Sequence, residues 1–208
     1  PEKSIVIFLG DNIYPAGLPD SASPDRAEME RRLIQQLLTV KSSGARGLVI
    51  PGNHDWDRYG ADGWNAIKRQ EALVKKILGL QEQLPPFLPS GGCPGPEIVD
   101  LGASLRLVIL DTQWWLQEGE KPRHPSSKCA ADSPEEIATN LQKAIAEAGA
   151  RAVFIVAHHP LDTHGIHGGF FGWRDHLFPL LNFSKYLWVP LPGIGSLYPL
   201  VRSLGVSN

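Results

Sequence analysis

Short apolar runs alternate with longer amphipathic stretches along most of the chain. Apolar runs bounded by Gly, Pro or Asp are typical of strands. Five such runs predict strands: SIVIFLG, ARGLVIPG, EIVDLG, LRLVILD and RAVFIVAHHP. The first, second and last are apolar almost throughout, so we expect them to be buried. A short turn separates EIVDLG from LRLVILD, which predicts an antiparallel pair.

Amphipathic stretches between these runs predict three helices. The first is expected to have a Ser23 cap and Pro24 in its first turn, and to bury Met29, Leu33, Leu37 and Val40. The second is expected to bury Leu73, Val74, Ile77 and Leu78 and to stop at Gly79. The third is expected to begin with Ser133 and Pro134 and to bury Ile137, Leu141, Ile145 and Ala148. Helices that alternate with strands predict an α/β architecture around a central, partly parallel sheet.

Residues 169–208 differ from the rest because they are rich in Leu, Pro and aromatic side chains. Lys185 and several prolines interrupt the apolar runs, so we expect no membrane-spanning helix. A packed lid and an apolar hairpin that contacts a membrane surface are both open interpretations. We expect one domain over residues 1–208, with the 169–208 segment packing on it or next to it.

Composition narrows the class of partner. Of the 208 residues, 42% are hydrophobic and 20% are charged, as in an ordinary globular domain. The formal net charge of -2 provides no basic field, which argues against nucleic acid as a partner. The chain lacks an initial Met and opens almost at once with a strand, so we expect an internal portion of a longer protein.

The two cysteines, Cys93 and Cys129, both lie in turn-rich sequence and outside any CxxC spacing. A disulfide between them and a pair of unrelated thiols are equally compatible with this composition. A disulfide would require Cα atoms within about 7 Å. It would also indicate an extracytoplasmic location, periplasmic or secreted.

Polar side chains that can bind metal follow three of the predicted strands. Asp11 follows the first strand, Asn53 and His54 follow the second, and His158 and His159 follow the last. In open α/β sheets the ligand crevice lies at the carboxyl ends of the strands, so these side chains can converge. Each also has an ordinary structural interpretation, as a turn residue or a packed histidine. Together, a carboxylate, an amide oxygen and an imidazole suit ions such as Zn, Mn and Fe.

Three motifs give the chain a resemblance to a known family. GDNIY (residues 10–14), GNHD (52–55) and AHHP (157–160) are similar, in order and spacing, to the calcineurin-like metallophosphoesterases. The GDxxY form resembles the purple acid phosphatase branch, in which the Tyr binds a ferric ion. The resemblance covers residues 4–160. It implies a four-layer α/β/β/α sandwich and hydrolysis of phosphoesters at a dinuclear metal centre.

The resemblance also implies roles for individual residues. The metal ligands would be Asp11, Tyr14, Asn53 and His158. Asp11 would bridge two ions, iron together with Zn, Mn or a second iron. Tyr14 would bind the first ion, and Asn53 and His158 the second. Two ions that share a carboxylate neutralise phosphoryl oxygens and generate a hydroxide nucleophile near neutral pH.

His54 would then act as proton donor or charge stabiliser, with Asp55 orienting its ring. The family's opening D-x-H or D-x-G motif and its closing G-H-x-H motif are both missing from the sequence. His164 and His167 have the wrong spacing for the latter and predict a loop. We therefore expect this portion by itself to bind metal weakly and to be inactive. Asp111 is expected to pack among aromatics.

A second interpretation comes from a different class of protein. In it, the fold is a catalytically inactive scaffold of the same kind, and the apolar 169–208 segment contacts a membrane surface or another protein. The intact GNHD motif argues against this loss of function, because decay would be expected to erase the ligand set first.

Overall fold

The computed structural model describes residues 4–79, 81, 83–125, 127–160 and 171–203. The chain divides into two compact units, Pro1–His159 and Pro160–Asn208. The strands, all in the first unit, are β1 (Ile5–Phe8), β2 (Arg46–Val49), β3 (Glu97–Leu101), β4 (Leu105–Ile109) and β5 (Ala152–Val156). The helices of the first unit are α1 (Arg26–Ser43), α2 (Gly63–Leu78), α3 (Gln113–Leu116) and α4 (Pro134–Ala146). The second unit contains α5 (Trp173–Leu177) and α6 (Leu197–Ser203). The protein is a mixed α/β structure.

The strands of the described residues form two small sheets, so the expectation of one central sheet is wrong. Strands β1 and β2 pair in parallel, with Ile5 opposite Arg46 and Phe8 opposite Val49. The second sheet has the order β3-β4-β5. Its β3 and β4 are antiparallel, which confirms the predicted pair, while β4 and β5 are parallel.

Two hydrophobic clusters form the core of the first unit. One contains the apolar faces of α1 and α2 together with Val49 of β2 and Ile137 of α4. The other contains residues of both sheets, among them Leu48 of β2, Leu107 of β4 and Val156 of β5. Burial of these side chains is the main favourable term for the fold, at roughly 25 cal/mol per Å² of apolar surface.

The predicted helices form, with small shifts at their ends. The four predicted core positions of α1 are all buried. This helix begins at Arg26 with Asp25 at its N-cap, so the predicted start at Ser23 and Pro24 is two residues early. In α2, Leu73 and Val74 are buried, Ile77 and Leu78 pack against the same core, and the helix ends at Gly79 as predicted. In α4, Ser133 Oγ accepts a hydrogen bond from the Glu136 N–H at 3.3 Å, which confirms the predicted cap.

Three burial predictions are wrong. In β1, all four residues are only half-buried or exposed, and Val6 is 38% exposed. Ile145 is 44% exposed, and α4 buries Ala144 instead. In β5, Phe154 is 59% exposed and Ile155 is 48% exposed. This strand lies at the end of its sheet, with β4 as its neighbour on one side. An apolar run predicts a strand, but its exposure depends on which elements cover it.

A disulfide joins Cys93 to Cys129, with the two Cα atoms 5.5 Å apart. This confirms the pairing that was one of two open interpretations. In the second unit, large apolar side chains are exposed, among them Trp173, Phe183, Tyr186 and Trp188. Within the described part of the chain, each helix is too short or too polar to cross a membrane.

Candidate functional site

The loops after β1, β2 and β5 converge in the first unit. Because β1 and β2 are parallel, their carboxyl ends meet at one edge, and the His54 N–H donates to Asp11 Oδ1 at 3.0 Å. His158, after β5, has its Nε2 3.1 Å from Asn53 Oδ1 and 3.5 Å from Asp11 Oδ1. The structure thus brings Asp11, Asn53 and His158 together. They come from both sheets, since β1 and β2 form one sheet and β5 belongs to the other.

Glycine is required at two positions for this approach. A Cβ at Gly10, which has a φ of +93°, would lie 2.5 Å from His158 Nδ1. A Cβ at Gly52 would lie 2.5 Å from Asp11 Oδ1. Both contacts are far inside van der Waals distance, so any larger residue would displace the candidate ligands. The glycines of the GD and GN pairs therefore have a steric role.

The hydrogen bonding of His158 fixes the direction of its lone pair. Its Nδ1 lies 2.7 Å from the Leu9 carbonyl oxygen, which can only accept, so Nδ1 carries the proton. In the neutral ring, Nε2 then presents its lone pair to the oxygens of Asn53 and Asp11. A metal-binding histidine commonly donates its other N–H to a carbonyl in this way. Three electron-pair donors that face one another are a suitable environment for a cation.

Tyr14 lies against the same carboxylate. Its hydroxyl donates to Asp11 Oδ2 at 2.8 Å, and its ring centroid is 4.1 Å from that of His54. The hydrogen bond to Asp11, followed by desolvation, raises the pKa of Tyr14. The side chain therefore faces Asp11 as a protonated phenol. Its role as a metal ligand stays a prediction.

The Pro15 carbonyl orients the His54 ring, and the prediction that Asp55 does so is wrong. His54 Nδ1 lies 2.6 Å from Pro15 O and must donate to it. The opposite nitrogen, Nε2, lies 3.9 Å from Asp11 Oδ2. His54 is therefore held between Pro15 and Tyr14, with Nε2 on the side of Asp11.

Asp55 is fully buried and ties the two motif loops together. Its carboxylate accepts from the backbone N–H groups of Asn12, Ile13 and Gly52 at 3.1, 3.3 and 2.8 Å. Gln70 of α2 donates to it at 3.1 Å. Burial raises the pKa of Asp55, and the N–H donors oppose that shift. This carboxylate contacts backbone and amide groups, so its role is to position Asp11 and Asn53.

Two further polar residues form their hydrogen bonds away from the convergence point, although the His159 ring centroid is 4.8 Å from that of His158. Asp111 is buried and accepts from Trp56 Nε1 at 2.7 Å, which confirms that it packs among aromatics. Burial raises the pKa of Asp111 to about 8. His159 contacts Thr112 through its Nδ1, 2.7 Å from Oγ1, and burial lowers the pKa of His159. The paired histidines therefore have different partners.

The donor set fits one metal ion in part. Asp11, Asn53 and His158 offer a carboxylate, an amide oxygen and an imidazole. Among the described residues, no three His, Cys, Asp or Glu side chains are grouped to hold a metal. His164 and His167 lie outside the described residues. The comparisons with family models, curated proteins and solved structures gave no match.

Proposed function

We propose that the protein is a metal-dependent phosphoesterase of the calcineurin-like kind, with a dinuclear centre built on Asp11. One observation carries the proposal: the Leu9 carbonyl accepts a hydrogen bond from His158 Nδ1–H, so the Nε2 lone pair faces the oxygens of Asn53 and Asp11. With Nε2 unprotonated, these acceptors gain nothing from their proximity in the absence of a cation. With one, they form part of a coordination shell.

The residues around this set have complementary chemistry. Metal ions bound here would neutralise phosphoryl oxygens and lower the pKa of bound water. His54 supplies the acid. His54 Nδ1–H donates a hydrogen bond to the Pro15 carbonyl. A protonated His54 ring can therefore release only its Nε2 proton to a leaving-group oxygen. Tyr14 packs against the ring and Asp11 lies beside Nε2, so both limit its movement.

The remaining parts of the proposal are the fold type, the metals and the location. The hydrophobic cluster that contains residues of both sheets supports a sandwich, flanked by helices as four layers. The contact between Tyr14 and Asp11 supports iron as one metal, with Zn, Mn or a second iron as the other. The disulfide supports an extracytoplasmic location.

The test uses the protein expressed from its complete gene, loaded with iron and zinc or manganese. Hydrolysis of p-nitrophenyl phosphate and bis-p-nitrophenyl phosphate is measured. His54→Ala is expected to lower kcat by about 10²–10⁴-fold with metal content unchanged. Asn53→Ala is expected to lose metal. His124→Ala, an exposed histidine, is the control. A metal-loaded wild type that hydrolyses neither ester would overturn the proposal.

A second candidate function is supported by the second unit. Exposed Trp173 and Tyr186 each lie beside a cation, Arg174 at 5.6 Å and Lys185 at 5.1 Å from the ring centroid. Exposed aromatic rings next to cations are typical of membrane interfaces. In this alternative, the protein is a non-catalytic module that binds a membrane surface. It would sediment with vesicles of phosphatidylglycerol and phosphatidylcholine, lose binding in Lys185→Glu, and show no esterase activity.

A further inference from the structure

Three consecutive residues after the GNHD motif adopt a left-handed backbone without being glycine. Asp57, Arg58 and Tyr59 have φ angles of 56°, 47° and 70°. This region is unfavourable for residues with a Cβ, and a run of three is more costly than the single residues usually found there. Such strain persists only where surrounding contacts enforce it, and it concentrates at functional sites.

Backbone hydrogen bonds fix this turn to the candidate ligands. The Arg58 N–H donates to the Asn53 carbonyl at 3.0 Å, and the Asp57 N–H donates to the His54 carbonyl at 3.1 Å. The Gly60 N–H then donates to the Asp57 carbonyl at 2.8 Å. The turn therefore curls back on the motif, and the Arg58 backbone lies against that of a candidate metal ligand.

Arg58 differs from its neighbours in exposure. Asp57 and Tyr59 are half-buried, whereas Arg58 is exposed. Within the described ranges, its guanidinium takes part in no hydrogen bond or ion pair. By contrast, Arg69 of α2 pairs with Asp62 and donates to the Leu18 carbonyl. A strained turn thus carries an exposed cation whose backbone N–H is bonded to the carbonyl of the candidate ligand Asn53.

We propose that Arg58 binds the phosphoryl oxygens of the substrate, an assignment that rests on the phosphoesterase function proposed above. A guanidinium presents its N–H donors as a planar fork that matches two phosphate oxygens. The strained turn fixes the Arg58 backbone to the carbonyl of Asn53, from which the long side chain can reach a phosphoryl group bound at the candidate ligands. Arg58 would therefore hold the phosphoryl group against the metal ligands, and the backbone strain is the cost of that position.

The experiment compares Arg58→Gln, Arg58→Lys and Arg58→Gly in the complete, metal-loaded protein. Lys76→Gln, which removes an exposed cation from α2, is the control. Two quantities are measured: the KM for p-nitrophenyl phosphate and the Kd for inorganic phosphate by calorimetry. Losing a charged hydrogen bond should raise both by about 10–100-fold in Arg58→Gln and less in Arg58→Lys.

Arg58→Gly distinguishes the effect of the side-chain charge on phosphate binding from the effect of the backbone strain on stability. Glycine accepts a positive φ, so this variant should have a higher Tm than wild type while its phosphate Kd rises as in Arg58→Gln. Phosphate Kd values within about twofold of the control, for both Gln and Gly variants, would overturn the role of Arg58. A wild type that binds phosphate but hydrolyses no ester would instead overturn the proposed catalysis, and the Kd values would still decide the role of Arg58.

Discussion

The carboxylate of Asp55 accepts the backbone N–H of Asn12 at 3.1 Å, across 43 residues of sequence. The Asn12 side chain returns the contact, since its amide donates to Asp55 Oδ2 at 3.1 Å and to the Ile50 carbonyl at 3.0 Å. Asp11 immediately precedes Asn12, and Asn53 lies two residues before Asp55. The distance between Asp11 and Asn53 is therefore set by the buried hydrogen bonds between Asp55 and Asn12, in which neither candidate ligand takes part.

Asp55→Asn should weaken the hydrogen bonds between residue 55 and Asn12. Both carboxylate oxygens accept N–H donors, so a carboxamide would place its NH₂ against one of them. We expect the free energy of unfolding to fall by about 1–3 kcal/mol, the cost of unsatisfied buried donors. Chemical denaturation measures the change, with the exposed Asp25→Asn as control. Equal stability of the two variants would show that the hydrogen bonds of the Asp55 carboxylate are not needed for stability.

The adjacent histidines provide a matched pair for metal binding. His158 faces Asp11 and Asn53, whereas His159 contacts Thr112. His158→Ala should therefore lower the metal affinity of the complete protein by at least about tenfold, and His159→Ala should leave it near wild type. Metal content after dialysis, measured by mass spectrometry, tests the prediction. The reverse order of effects would refute the assignment of His158.

Tyr14→Phe tests the nature of the ion beside Asp11. The hydrogen bond to Asp11 raises the pKa of Tyr14, so only a strongly Lewis-acidic ion such as ferric iron would deprotonate it at neutral pH. The iron-loaded wild type should show a visible phenolate-to-iron absorption band, which Tyr14→Phe removes. Tyr186→Phe, at an exposed position in the second unit, should keep the band. A colourless iron-loaded wild type would rule out the phenolate ligand.

Asp111→Asn should change the pH dependence of stability. Burial raises the pKa of Asp111 from 3.8 to about 8, so between these values the folded chain keeps a proton that the unfolded chain has lost. This stabilising contribution is complete below about pH 4 and is lost as the pH rises through about 8. The slope is at most about 1.4 kcal/mol per pH unit.

Asparagine does not ionise, so Asp111→Asn should gain stability relative to wild type as the pH rises across that window. Urea unfolding at several pH values measures the difference, and subtraction of the two curves removes the contributions of other groups. Parallel curves would show that Asp111 is ionised throughout in the folded protein.

The sequence predicted the elements and the strand ends well because both depend on local pattern. The period of Leu33 and Leu37 specifies the inner face of α1 wherever that helix packs. Ser133 caps α4 through a contact only three residues away. The sequence identifies the three candidate ligands because each is a polar, metal-binding side chain that follows an apolar run: Asp11, Asn53 and His158.

What the sequence could not predict depends on contacts between distant segments. The partner of His54 is the backbone carbonyl of Pro15, and backbone carbonyls have no residue-type signal. The family resemblance implied a role for Asp55 at the His54 ring, yet the Asp55 carboxylate turns into the core. The exposure of Phe154 likewise depends on what covers β5.

The Cys93–Cys129 disulfide has a practical consequence for protease experiments. A peptide bond cut anywhere between the two cysteines leaves both halves of the first unit covalently joined. The exposed Arg123 and His124 lie in that interval and offer a cleavage site to trypsin. A nicked molecule would therefore run as one band on a denaturing gel and separate into two only after a reductant is added. Gels run without reductant would overstate how much of the chain resists digestion.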